Sequence, residues 1–226
     1  MPQVLKRTLD TNPYQDLNYS RSTFVLESDM KTLTYRRHSL KDGHYISKAG
    51  IELARDEAEV YESRPDAVEF SCVFHGPFVR TAQTALAFCC ALTVTPPDAM
   101  PIIEEIGNDA IVALIVNDAF KAAVAKGESN YQATVSSHSA TELSDLSRTA
   151  MAAVTKMFDA MKDKNDVGIA FGHSPIIELA VCNMSGLPDG WNELNEMDGL
   201  VLEQDDAGQI RVVELIRANR EQPATA

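Results

Sequence analysis

Between residues 31 and 216 short apolar runs alternate with stretches of helical periodicity, and this alternation is the strongest constraint the sequence places on its fold. Strand patterns cover 31–37, 67–74, 100–105 and 167–171, and helical patterns lie between and after them. Apolar positions at Ile46, Ala49, Leu53, Ala54, Ala58 and Tyr61 predict an amphipathic helix, with Ser47 placed to cap it. Pro77 opens a second helix, at a position where proline is tolerated. Further helices are predicted over 110–125, 143–161 and 174–184, with 126–141 read as a polar loop. Two last strands, 199–203 and 210–215, flank Asp205-Asp206-Ala207-Gly208, the turn chemistry of an antiparallel hairpin. The pattern predicts an α/β domain: a three-layer sandwich with a mostly parallel mixed sheet and helices on both faces.

The chain has 226 residues, 45% of them hydrophobic, enough for one sizeable core, so residues 1–226 are read as a single domain. Within it, 1–30 reads as an N-terminal arm, 107–150 as a helical insertion or lid, and 217–226 as a loose tail. The formal net charge of −13 argues against a nucleic-acid binder, which needs a basic face. Local arginines in a cleft still suffice to bind an anion. Cys72, Cys89, Cys90 and Cys182 lie in apolar surroundings without metal or redox spacing, and read as buried small hydrophobes in a reducing compartment. The first residues lack a signal-peptide core, and the best apolar run is far short of the ~20 residues a membrane helix needs. A soluble cytoplasmic protein that binds neither membrane nor nucleic acid is the expectation.

Two of the strand patterns end in a histidine followed by a turn: Arg36-Arg37-His38-Ser39 and Phe171-Gly172-His173-Ser174. In an open parallel sheet such ends meet at the carboxyl edge, where ligands bind. Neutral imidazole can take a phosphoryl group covalently, and the charge spread over the phosphoryl oxygens calls for neighbouring cations. Arg37 offers a planar fork for two oxygens, and Arg80 falls in the first turn of a helix that follows a strand. His173 would donate to a phosphoryl oxygen. In Ile102-Ile103-Glu104-Glu105-Ile106-Gly107, a carboxyl at a strand end could protonate a leaving alkoxide. His44 and His75 lie near these motifs, where solvated loop histidines are the plainer reading. His138 has no chemical role assigned, Trp191 is read as core or rim packing, and Arg36 should point away from Arg37 across the strand.

Together these segments resemble the histidine phosphatase superfamily, also called phosphoglycerate-mutase-like. Its Arg-His-Gly block corresponds to Arg37-His38-Ser39. Its Ser-Pro-Leu-x-Arg-Ala-x-Gln-Thr-Ala block corresponds in register to Gly76-Pro77-Phe78-Val79-Arg80-Thr81-Ala82-Gln83-Thr84-Ala85, and its Gly-His strand end to Gly172-His173. The resemblance spans 31 to about 215. It implies a phosphohistidine on His38, a phosphate pocket of Arg37, Arg80 and His173, and an acid at Glu105 with Glu104 in reserve. It implies no metal and no cofactor, because the arginines supply the positive charge. Ser39 stands where a glycine is usual, and its hydroxyl could reach the phosphate; His75 is a further possible substrate contact. The segment after His38 lacks the asparagine-bearing loop of the mutases, which favours a phosphatase. The expectation is a metal-independent phosphomonoester hydrolase acting on a phosphorylated small molecule or phosphoprotein. The alternatives are a protein phosphohistidine phosphatase, a phosphoglycerate-type mutase and a non-catalytic phosphate-binding module. Neither the leaving group nor the oligomeric state follows from these residues.

Overall fold

The computed structural model describes residues 30–92 and 100–219. Five strands form the main sheet in the order β4-β5-β1-β6-β7. They are β1 (Lys31–Arg37), β4 (Cys72–His75), β5 (Val167–Gly172), β6 (Gly199–Gln204) and β7 (Ile210–Ile216). β1 and β4 both run parallel to β5, while β6 runs antiparallel to β1 and to β7. The sheet is thus mixed but mostly parallel in direction, as the sequence pattern predicts. A two-stranded ribbon of β2 (Lys41–Asp42) and β3 (Tyr45–Ile46) follows His38.

Side-chain alternation along the strands builds two cores. On one face, Val73, Ile169 and Phe171 pack against Ala54 and Ala58 of α1 (Lys48–Glu62) and Ala85 and Phe88 of α2 (Val79–Cys89). On the other, Leu33, Tyr35, Ala170, Leu200 and Leu202 meet α6 (Ala140–Ala160) and α7 (Ile176–Val181), among them Val154, Met157, Phe158 and Ile177. Each such large side chain contributes about 1.5–3 kcal/mol by leaving water. Ser47 caps α1 as predicted, its Oγ accepting from the Gly50 amide at 3.0 Å. Arg36 points to the face opposite Arg37 and forms a buried ion pair with Glu57, 2.8 Å apart.

Several boundaries differ from the sequence reading. The strand expected over 100–105 shrinks to one bridge between Ile102 and His75, because Glu104–Ile106 tightens into a 3₁₀ turn. The strand expected over 67–74 is only Cys72–His75; Val68 is instead tied to the Tyr61 hydroxyl. The helix expected over 110–125 breaks into α3 (Asp109–Ile115) and α4 (Asp118–Ala125), since Asn117 caps a fresh start by accepting from the Phe120 amide. The loop expected over 126–141 holds α5 (Asn130–Ser137), opened by the reciprocal Ser129–Gln132 capping box. The stretch 217–219, expected to be loose, is anchored: the Ala218 amide bonds Asp198 and the Asn219 amide bonds Glu57. Cys89 is buried as expected, but Cys90 is exposed and Cys72 and Cys182 are half-buried; all four are free thiols. The expected arm (1–30, save Met30), the turn at 95–98 and the end of the tail (220–226) lie outside the described residues. No helix among the described residues is long and apolar enough to cross a membrane.

Candidate active site

β1, β4 and β5 end side by side at one edge of the sheet. Their register pairs Arg37 with Gly172 and His75 with Phe171, so the residue after β1 and the residue after β5 become neighbours. The His38 amide donates to the Gly172 carbonyl at 2.9 Å. The rings of His38 and His173 then meet edge to face, with centroids 4.8 Å apart. Gly172 is required here, since a Cβ would fall 2.7 Å from the Tyr35 hydroxyl oxygen.

His38 is 4% exposed, and its Nδ1 lies 2.6 Å from the Ser39 carbonyl oxygen. A carbonyl only accepts, so Nδ1 carries the proton and Nε2 keeps its lone pair. Burial lowers the imidazole pKa to about 3, against the help of the Ser39 carbonyl, and Arg37, Arg80 and Lys41 push the same way as burial. His173 is likewise driven well below the usual histidine range, by burial first and then by His38, Arg80 and Arg37. Both rings are therefore neutral near pH 7.

Arg80 stacks its guanidinium over Phe78, 4.5 Å from the ring centroid, and Phe78 in turn meets the His173 ring edge-on at 5.3 Å. Burial and the charge of Arg37 lower the Arg80 pKa. Two buried atoms of this cluster, His173 Nε2 and Arg80 Nε, make no hydrogen bond to the described residues. Arg37 reaches the loop before β6, donating from Nη1 to the Leu194 carbonyl and from Nη2 to Glu196, each at 2.8 Å. Beside Arg37 opens a cavity of about 480 Å³, walled by residues 127–130 and Gln132 on one side and 193–196 on the other.

Among the described residues, the structure thus brings His38, His173, Arg37 and Arg80 to one edge of the sheet. The remaining candidates fall elsewhere. The Ser39 hydroxyl, expected to be able to reach a phosphate, instead donates to the Gly50 carbonyl of α1 at 2.8 Å and is fully buried. Glu105 pairs with Lys156 of α6 at 3.2 Å. Its own backbone amide, and then Lys156, hold that carboxyl below the usual glutamate range, whereas a proton donor needs the opposite shift. Glu104 is exposed. Their turn still borders the site, because Gly107 at its end abuts the His173 ring. His75 is buried, with Nδ1 2.7 Å from the Gly76 carbonyl, and His44 is exposed in the β2–β3 turn.

Other residues shape the site without having been singled out in the sequence. Thr84 accepts from the Ser39 amide and donates to the Arg80 carbonyl, tying the end of β1 to α2. Gln83 accepts from the Ile46 amide, tying α2 to the ribbon. Both belong to the Gln83-Thr84 pair of the second motif, which was the available signal. Glu196 reaches Arg37 only through the tertiary fold.

No protein-family model matches the chain, and no curated protein matches it by sequence. Solved structures do match. A phosphoglycerate mutase from Bacillus anthracis str. Sterne is similar over 84% of this chain and 93% of its own, at 14% identity and a TM-score of 0.57. A phosphoserine phosphatase from Entamoeba histolytica, in complex with 3-phosphoglyceric acid, covers 82% and 96% at 12% identity and a TM-score of 0.52. The protein histidine phosphatase SixA, complexed with tungstate, covers 83% and 96% at 12% identity and a TM-score of 0.50. In its sheet, its layers and its likeness to these structures, this chain has the histidine phosphatase, or phosphoglycerate-mutase-like, fold.

Proposed function

We propose that this protein is a metal-independent phosphomonoester hydrolase that passes the phosphoryl group through His38. One observation carries the reading: a tautomer-fixed neutral imidazole lies against a second histidine whose Nε2 has no partner among the described residues. His38 Nε2 attacks phosphorus, the P–N bond forms and the bond to the leaving oxygen breaks. Arg80 and Arg37 neutralise the phosphoryl oxygens as charge spreads over them, and neutral His173 donates a hydrogen bond to one of them. Water then attacks phosphorus, the P–N bond breaks and phosphate leaves.

The leaving oxygen takes a proton from an acid. The turn that borders the His173 ring offers two carboxyls for that role: Glu105, paired here with Lys156, and Glu104, which is exposed. Loss of activity in Glu105→Gln but not in Glu104→Gln assigns it, and the reverse pattern transfers the role to Glu104. The cavity beside Arg37, bounded by the 107–150 insertion, favours a phosphorylated small molecule over a protein substrate. The phosphohistidine-protein, mutase and binding-module alternatives are separated by one screen across sugar phosphates, nucleotides, phosphoserine and phosphohistidine substrates, with 3-phosphoglycerate isomerisation alongside.

The direct test is p-nitrophenyl phosphate hydrolysis in chelator, with rapid quench to trap labelled phosphate on the enzyme. Acid-labile, base-stable label on His38, and its loss in a folded His38→Ala variant, support the reading. Undiminished hydrolysis by His38→Ala refutes it.

A further inference from the structure

Behind the two histidines lies a buried polar cluster that the proposed reaction does not use. Glu178, on α7, is 1% exposed, although the whole helix is otherwise apolar. Its Oε1 accepts from the Ser174 hydroxyl at 2.6 Å, and Ser174 directly follows His173. Its Oε2 makes no hydrogen bond of good geometry, yet the amides of Leu194 and Glu178 itself lie close enough to favour the ionised carboxylate. The backbone of Leu194 faces both groups, its amide toward Glu178 and its carbonyl holding Arg37 Nη1. The Tyr35 hydroxyl, also buried and without a hydrogen bond among the described residues, packs at Gly172.

We infer that Glu178 is a positioning residue for anion binding: one buried carboxyl steadies the His173 turn through Ser174 and the Arg37 guanidinium through the backbone of Leu194. The inference rests on the anion-binding half of the function proposed above and not on the phosphohistidine step. It also has a charge-dependent side. Burial raises the Glu178 pKa to about 7, against stabilisation by Ser174 and its own amide and by Arg37. The groups facing it are Tyr35 and Arg37 from β1 and Tyr131 from α5; Cys182, at the end of α7, faces Tyr131 and bonds the neutral Ser147 of α6. Neutral Glu178 leaves the charge of Arg37 to the anion. Ionised Glu178 competes for it, so anion affinity falls as pH rises through neutrality.

Sulfate tests this, because it stays a dianion throughout the range and its binding needs no turnover. Calorimetric sulfate titrations from pH 5.5 to 8.5 should show wild-type affinity falling roughly tenfold, the scale of one partly screened unit charge. Glu178→Gln, which keeps the shape and cannot ionise, should be flat over that range. Glu178→Ala should also be flat with pH, and should bind more weakly than Glu178→Gln throughout, because it loses the contacts as well as the charge. A Glu178→Gln variant that follows the wild-type curve overturns the inference, as does a Glu178→Ala variant that binds like Glu178→Gln. If Glu178→Ala fails to fold, the glutamine curve decides alone. Failure of the trapping experiment at His38 leaves these outcomes readable.

Discussion

Holding His38 neutral has a thermodynamic cost that can be measured without any substrate. Its pKa is about 3 in the fold, against about 6.5 in the unfolded chain. Between those values the unfolded chain binds a proton that the native state refuses, so the native state loses stability as pH falls. At pH 8 the imidazole is neutral in both states and the difference vanishes. At pH 5 the unfolded imidazole is almost fully protonated and the folded one almost not at all. The linkage at that pH is RT ln(1 + 10^1.5), about 2 kcal/mol. His38→Gln removes this group while keeping a buried amide that can still donate to the Ser39 carbonyl. Whatever the substitution costs at pH 8, its cost should be smaller at pH 5 by about 2 kcal/mol. Urea unfolding of both proteins at the two pH values, analysed with a common slope, reads that change directly. Glu178 titrates in both proteins and cancels, and His173 cancels as far as burial, the largest cause of its lowered pKa, is kept in the variant. A stability difference that does not change with pH would mean that His38 takes up its proton as readily in the fold as in the unfolded chain. The proposed nucleophile would then not be a neutral imidazole protected by burial.

Glu57→Gln strands the Arg36 charge in the core and should cost about 3–5 kcal/mol in chemical denaturation, with the shape of the activity–pH profile unchanged. Gly107→Ala places a Cβ at a backbone φ of +143° and against the His173 ring; about 1–3 kcal/mol of strain and a kcat lower by about a hundredfold are expected from stability and steady-state assays. Arg80→Ala should raise the KM for p-nitrophenyl phosphate by about 10–100-fold, the value of hydrogen bonds to a charged group. Ser139→Ala removes a capping-box hydroxyl at the start of α6 and should lower stability by about 1 kcal/mol without changing kcat.

What the sequence made legible is what local pattern encodes. The apolar runs ending at Arg37 and Gly172, the Ser47 cap and the Asp205–Gly208 hairpin all announce themselves within a few residues. The parallel register of β1 on β5 then carries His38 to His173 without further information. The third strand pattern misleads because Met100, Ile102 and Ile103 read as a strand, while the Ile103 and Glu104 carbonyls close a turn. The helix at 130–137 hides behind weak apolar periodicity although Ser129-Asn130-Tyr131-Gln132 spells a capping box. Glu178 hides for a different reason. A glutamate in a short helix reads as solvated, and only its apolar flanks Ile176, Ile177, Leu179, Ala180 and Val181 indicate a helix surrounded on all sides. The reach of Glu196 to Arg37, and of Glu105 to Lys156, depends on distant segments meeting, and no local rule anticipates it.

β1 is the third of five strands, flanked on both sides by partners. Breathing motions that peel away β7 or β4 leave its ladder intact on the inner side. Amide protons of Leu33 to Tyr35 should therefore exchange with deuterium only through complete unfolding of the chain, and the strand that leads into His38 would endure every smaller opening that strips the periphery.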